Sequence, residues 1–76
     1  MDKIKMLKEL GYNNGIIEDV KKNRRHCDIL PEGELQDYID DAGFEFTVEQ
    51  AREGRVEGVD IYRHEDGFIS YVILES

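Results

Sequence analysis

One strand near the end of the chain is apolar on both faces, and this restricts the fold more than any other feature. Alternate residues of that strand place Phe68, Val72 and Leu74 on one face and Ile69, Tyr71 and Ile73 on the other. The β-rich run Val56 to Arg63 is its predicted antiparallel partner, because His64-Glu65-Asp66-Gly67 contains a strong hairpin signal. Helices can cover one face of the hairpin, which leaves the other for a dimer partner's sheet or for a ligand.

Apolar spacing predicts two short helices at the start of the chain. The first runs from Asp2 to Leu10, with Asp2 as its cap and Gly11 at the stop position. After a turn at Asn13-Asn14-Gly15, a thin apolar stripe predicts a second helix from Ile16 to about Arg25. Ile29 and Leu30 then connect this helix to Pro31.

Pro31 stands at the first position of a third predicted helix, which Gly43 ends. Glu32 and Glu34 are acids in its first turn. The predicted buried stripe consists of Leu35, Tyr38, Ile39 and Ala42.

The segment from Phe44 to Gly54 has two interpretations. Alternating apolar residues over residues 44–50 are typical of a strand. However, Thr47-x-x-Gln50 forms a capping box, which favours a short helix from Val48 to Glu53. The predicted fold class is therefore α+β: one small domain over residues 1–76, in which three to four helices pack on a C-terminal antiparallel β-hairpin or small sheet.

Charge is divided unevenly along the 76 residues, whose net charge is −8. Residues 1–26 hold seven lysines and arginines against four acids, whereas residues 27–76 hold three arginines against fourteen acids. The basic cluster Lys21 to Arg25 has three interpretations: phosphate contact, pairing with the acidic remainder of this chain or of another copy, or a solvated helix end.

Composition also bears on the cellular compartment. No apolar run approaches the roughly 20 residues of a membrane span, and the first residues lack the apolar core of a signal peptide. The single cysteine, Cys27, cannot form an internal disulfide. We therefore expect a cytoplasmic protein that does not contact membranes.

The sequence lacks a recognisable set of catalytic or metal-binding residues. Nucleophilic catalysis needs an activated Ser, Cys or Thr beside a base. Thr47 is a predicted helix cap, Ser70 lies within a strand, and Cys27 is expected to be buried and unreactive. No zinc-ligand spacing and no glycine-rich phosphate loop occurs in the sequence. We expect no enzymatic activity, no cofactor and no bound metal.

The acidic remainder favours a protein-binding function. Carboxylates fixed on a folded domain can replace phosphates and pair with basic side chains of a partner. The predicted contact residues are Glu32, Glu34, Asp37, Tyr38, Asp40, Asp41, Glu45, Glu49 and Glu53, with Tyr62 and Tyr71 as further anchors. In size and charge the chain is similar to small phage-encoded inhibitors, among them anti-CRISPR and anti-restriction proteins. That likeness implies a nucleic-acid mimic that blocks a basic partner protein.

The basic segment supports an alternative function. A small DNA-binding transcriptional regulator would place Lys21, Lys22, Arg24 and Arg25 on phosphates and use the C-terminal hairpin to form a homodimer. Salt dependence of duplex binding distinguishes the two functions, because phosphate contacts give a steep slope.

Overall fold

Four α-helices and a three-stranded antiparallel sheet make up residues 3–75, the part of the chain that this computed structural model describes. In chain order the elements are α1 (Lys3–Glu9), α2 (Asn14–Lys21), β1 (His26–Pro31), a 3-10 turn (Glu32–Glu34), α3 (Leu35–Ala42), α4 (Val48–Arg52), β2 (Val59–Arg63) and β3 (Ile69–Glu75). The strand order is β1-β3-β2, so the last strand is the central one. The predicted α+β class, with helices packed on a C-terminal hairpin, is confirmed.

Both faces of β3 are covered by helices of the same chain. Val72 packs with α1 and α2, whereas Tyr71 and Ile73 pack with α3 and α4. The first buried cluster contains Met6, Leu7, Ile17, Val20, Cys27 and Val72. The second contains Leu35, Ile39, Ala51, Val59, Tyr71 and Ile73. The apolar residues of β3 itself are thus covered within one chain, whereas Phe68, which was predicted as part of this strand, lies just before it and is 72% exposed.

Strand β1 was not predicted from the sequence. It pairs with β3 along its whole length, from His26 opposite Glu75 to Pro31 opposite Ser70. The predicted second helix is correspondingly too long at its end, because α2 stops at Lys21. Asn23 takes a left-handed conformation with φ of 58°, and this turn redirects the chain into the sheet.

The start of α2 also differs from the prediction. Asn13 is its N-cap, and the Asn13 side-chain oxygen accepts a hydrogen bond from the backbone N–H of Ile16 at 2.9 Å. Asn14 and Gly15 therefore belong to the helix rather than to a preceding turn. The other predicted cap, Asp2, lies outside the described residues.

The central helices follow most of their sequence signals, but α3 begins at Leu35 and not at the predicted Pro31, which is the last residue of β1. A 3-10 turn precedes α3, and Gly43 ends the helix in the left-handed conformation. Three of the four predicted stripe residues are at least partly buried, but Ala42 is exposed. The capping box of α4 is present in full between Thr47 and Gln50, so the helical interpretation of this segment is confirmed.

Candidate functional site

Helices on the two faces of the sheet carry opposite charge. Residues 3–25, which contain α1 and α2, hold seven lysines and arginines against three acids. Residues 32–57, which contain the 3-10 turn, α3 and α4, hold nine acids against two arginines. The charge division along the sequence thus becomes a division between the two sides of the molecule.

The fold brings the predicted acidic residues together on one side of the sheet. We call them the acidic layer: Glu32, Glu34, Asp37, Asp40, Asp41, Glu45, Glu49 and Glu53, all of which are exposed. They project from the 3-10 turn, from α3, from α4 and from the segments that follow these helices. The elements that carry these carboxylates pack on a common core, which fixes the backbone positions from which the side chains extend.

Few groups within residues 3–75 pair with these carboxylates. Glu32 lies 3.6 Å from Arg52 and Glu53 lies 3.1 Å from Arg55, whereas Asp40 accepts a hydrogen bond from Gln36 at 3.0 Å. The other five side chains form no ion pair or hydrogen bond with the described residues: Glu34, Asp37, Asp41, Glu45 and Glu49. Over half of the acidic layer is therefore available to an external partner.

The predicted tyrosine anchors differ in exposure. Tyr71 is fully buried between the sheet and α3, so its prediction as a surface anchor is wrong. Tyr38 is half-buried, and its ring stacks on Phe44 with the ring centroids 5.7 Å apart. Phe44 stacks in turn on Phe46 at 5.3 Å, and these two partly exposed rings supply apolar surface beside the acidic layer.

A cluster of three polar side chains joins β1 to α3. The Oδ2 atom of Asp28 accepts the Tyr38 hydroxyl at 2.8 Å and lies 2.7 Å from Nε2 of His26. Burial raises the pKa of Asp28, but the hydrogen bonds from Tyr38 and His26 outweigh burial and lower it overall. Burial, together with the hydrogen bond to Asp28 and its negative charge, raises the pKa of Tyr38 to about 12.

The predicted basic residues surround the turn between α2 and β1. Lys21, Lys22 and Arg24 are exposed and Arg25 is half-buried. An open groove of about 590 Å³ next to this turn includes Lys3, Lys21 and Asn23 in its lining. A smaller adjoining groove of about 340 Å³ adds Arg24, Arg25 and His26. The basic segment was identified from the sequence, but Lys3 was missed, because only the fold brings this residue of α1 beside the segment.

A third groove lies at the hairpin. It has a volume of about 440 Å³ and is lined by Lys5, Glu9, Tyr62, His64, Glu65 and Asp66. The Tyr62 hydroxyl donates to Glu9, and Nε2 of His64 lies 2.8 Å from Oγ of Ser70. The histidine–serine pair links the end of β2 to the start of β3.

Two kinds of feature are absent from the described residues. No group of three or more His, Cys, Asp and Glu side chains is arranged to hold a metal ion within residues 3–75. In the same part of the chain, no helix is long and apolar enough to cross a membrane. Cys27 is a free thiol in the core beneath α1 and α2.

The protein is a small α+β domain in which an antiparallel sheet lies between two helical layers of opposite charge. No protein-family model matches the chain, and no curated protein or solved structure matches it either. Its function is therefore inferred from its own surfaces.

Proposed function

We propose that the chain is a non-catalytic inhibitor or regulator whose acidic layer docks on a basic, nucleic-acid-binding surface of a partner protein. The observation that carries this proposal is the set of five unpaired carboxylates on one rigid side of the sheet, at Glu34, Asp37, Asp41, Glu45 and Glu49. Carboxylates held in this way can occupy the positions of phosphates and pair with Arg and Lys side chains.

The position of two aspartates supports a binding role over a purely solubilising one. Asp40 and Asp41 lie in the last turn of α3, where the helix dipole disfavours negative charge, and this turn contains no basic residue. Asp37 and Asp41 are also four residues apart on the helix, so their like charges repel each other. Local stability rules are therefore broken at this site, as is common where residues serve a function.

The apolar surface that a stable interface requires lies beside the acidic layer. Phe46 and Val48 are half-buried and lie between Glu45 and Glu49 in the sequence. Charge speeds association and selects the partner, whereas desolvation of such apolar groups supplies much of the affinity. A partner with a basic rim around a shallow apolar pocket would fit this combination.

Two charge reversals test the proposal. Asp37→Lys with Asp41→Lys removes two unpaired carboxylates from the acidic layer. Asp60→Lys with Glu65→Lys is the matched control, because it changes the net charge equally at exposed positions on and beyond β2. Tagged wild type and both variants are used to capture proteins from host lysate, with and without added duplex DNA or RNA.

We expect wild type and the control to retain the same basic protein, and the Asp37/Asp41 variant to lose it. Added nucleic acid should displace that protein, because both would compete for one surface. Equal capture by all three proteins, or capture that nucleic acid does not affect, would overturn the proposal. If the tagged chain instead binds the added duplex itself with a steep salt dependence, the DNA-binding alternative through Lys21, Lys22, Arg24 and Arg25 is supported.

A further inference from the structure

The side of the molecule opposite the acidic layer carries an open groove along a sheet edge. The groove of about 590 Å³ runs beside β1 and is lined by Lys3, Ile4, Val20, Lys21, Asn23, Cys27, Asp28 and Ile29. Its apolar lining includes Ile4, Val20 and Ile29, and its charged lining consists of two lysines and Asp28, whose carboxylate is already hydrogen-bonded to Tyr38 and His26. The adjoining groove of about 340 Å³ adds Arg24 and Arg25 to this charged rim. We call the two together the β1 groove.

The register of the sheet shows which backbone groups face the β1 groove. Leu74 donates its N–H to Gly58 on the β2 side, so the backbone groups of Ile73 and Glu75 point toward β1. Their partners in β1 are Asp28 and His26. The N–H and C=O groups of Cys27 and Ile29 therefore point away from β3, along the outer edge of the sheet.

Among residues 3–75, the Lys3 side chain covers part of this edge. Nζ of Lys3 donates to the carbonyl oxygen of Cys27 at 3.0 Å. Lysine at an exposed edge protects it from unwanted strand pairing. Because the lysine side chain is long and flexible, it can release this carbonyl when a better partner arrives. At the far end, Pro31 has no N–H, so pairing along the edge stops there.

The lining of the groove determines which kind of peptide strand could pair with the free edge of β1. An added strand would lie about 4.8 Å from β1, and its side chains would alternate between the two faces. Side chains on the α1–α2 face would contact Val20 and Ile29 and should be apolar. Charged residues in the same strand would lie near Lys21, Arg24 and Arg25 and should be acidic. A polyanionic backbone would leave the edge amides and the apolar lining unused.

We propose that the β1 groove binds an extended acidic peptide segment of a partner protein, which adds to the sheet as a strand beside β1. Hydrogen bonds to Cys27 and Ile29 supply the backbone pairing. The released Lys3 amine, together with Lys21, Arg24 and Arg25, pairs with carboxylates of the peptide. This site is separate from the acidic layer, so it would give the protein a second binding surface.

The test uses synthetic decapeptides in which valine and threonine alternate with glutamate. A matched peptide carries lysine in place of glutamate. Two analogues of the acidic peptide are N-methylated at alternate residues, because N-methylation removes the amide donor. One analogue lacks the donors along one edge of the added strand, and the other lacks the donors along the opposite edge. Binding to the full chain is followed by NMR titration and by hydrogen exchange at the Ile29 amide, which the added strand should protect.

Two double variants separate the groove from general electrostatics. Arg24→Glu with Arg25→Glu reverses charge at the rim, whereas Lys5→Glu with Lys8→Glu makes the same change on exposed α1 positions outside the groove. We expect the rim variant to bind the acidic peptide about tenfold or more weakly and the control to change affinity by about twofold or less.

The expected result is binding of the acidic peptide alone, slowed exchange of the Ile29 amide, and loss of binding by one N-methylated analogue. Four results would overturn the proposal: no binding of the acidic peptide, equal binding of the lysine peptide, equal binding of both N-methylated analogues, or unchanged exchange at Ile29. A duplex oligonucleotide is included as a competitor. Binding of the duplex alone, with a steep salt slope, would assign the cations to phosphate and also overturn the proposal.

Discussion

Tyr38 and Asp28 join helix α3 to strand β1 through a hydrogen bond of 2.8 Å between the phenol and the carboxylate. The bond crosses the boundary between the acidic layer and the sheet. It also holds Tyr38 in the position where its ring stacks on Phe44. Tyr38 thus connects β1 to α3, the helix that carries Asp37, Asp40 and Asp41.

Replacement of Tyr38 by phenylalanine tests this connection. We expect Tyr38→Phe to lower the free energy of unfolding at pH 7 by about 1 kcal/mol, because a hydrogen bond to a charged acceptor is lost at a half-buried site. Urea denaturation of wild type and variant measures the difference. An unchanged unfolding free energy would show that α3 is held by its apolar contacts alone.

The same pair predicts how stability depends on pH. The pKa of Asp28 is lowered in the folded state, so its contribution is present above the unfolded value of about 3.9 and is lost as pH falls through the folded value. The pKa of Tyr38 is raised to about 12, so its contribution is lost as pH rises from its unfolded value toward that point. The difference between wild type and Tyr38→Phe should therefore shrink at both pH extremes.

Local signals in the sequence were enough to predict the helices α1, α3 and α4 and the hairpin. The capping box at Thr47, the glycine after α3 and the Asp-Gly turn each act over a few residues, so the sequence alone reveals them. Strand β1 was missed because its hydrogen-bonded partner is distant in sequence, with His26 opposite Glu75. Its short apolar alternation, at Cys27 and Ile29, gave little local signal.

The two candidate surfaces also differ in whether the sequence alone reveals them. The acidic layer was predicted from the sequence because its residues lie on neighbouring helices and in the segments that follow them. The β1 groove was not, since it needs Lys3 from α1 beside Cys27 from β1. Only the tertiary fold places a lysine over that strand edge.

The hydroxyl of Tyr71 is a second site where a single atom can be tested. It is buried and has no hydrogen-bond partner among residues 3–75. An unsatisfied buried polar group costs about 1–3 kcal/mol. We expect Tyr71→Phe to raise the free energy of unfolding by up to about 1 kcal/mol, since the ring keeps its packing. A decrease would mean that the hydroxyl has a partner, and thermal unfolding of the two proteins decides the sign.

Gly58 is expected to be the glycine least tolerant of substitution. Its φ is 84°, and a Cβ added there would lie 3.0 Å from the carbonyl oxygen of Leu74 in β3. Gly58→Ala should cost at least about 1 kcal/mol through backbone strain and displacement of the β2–β3 pairing. Gly33→Ala is the control, because nothing lies within 4 Å of the added Cβ. Equal stability of the two variants, measured by urea denaturation, would contradict the expected strain.

The thiol of Cys27 should react slowly while the protein is folded. Burial raises its pKa most, and the charge of Asp28 raises it further, although Lys3 acts in the opposite direction. We expect alkylation at pH 8 to be about 100-fold slower in buffer than in denaturing urea, because burial disfavours the thiolate and keeps the reagent from the thiol until the core opens. Mass spectrometry follows the modified fraction with time. Equal rates would place the thiol at the surface.

Charge reversal in the acidic layer should change stability in opposite directions at two positions. Asp41 lies in the last turn of α3 and repels Asp37, so Asp41→Lys removes an unfavourable dipole interaction and creates an attractive pair. We expect it to raise the free energy of unfolding by about 0.5–1 kcal/mol. Glu49 lies in the first turn of α4, where negative charge is favourable. Glu49→Lys should therefore lower the free energy of unfolding by a few tenths of a kcal/mol.

Partner binding should decrease in both variants if the acidic layer is the docking surface. Loss of binding by the more stable Asp41→Lys protein cannot result from unfolding, which makes this variant the more informative of the two. Differential scanning calorimetry and capture of the partner are measured on the same preparations. If Asp41→Lys is more stable and binds as well as wild type, the aspartate serves neither stability nor docking, and the acidic layer loses its strongest support.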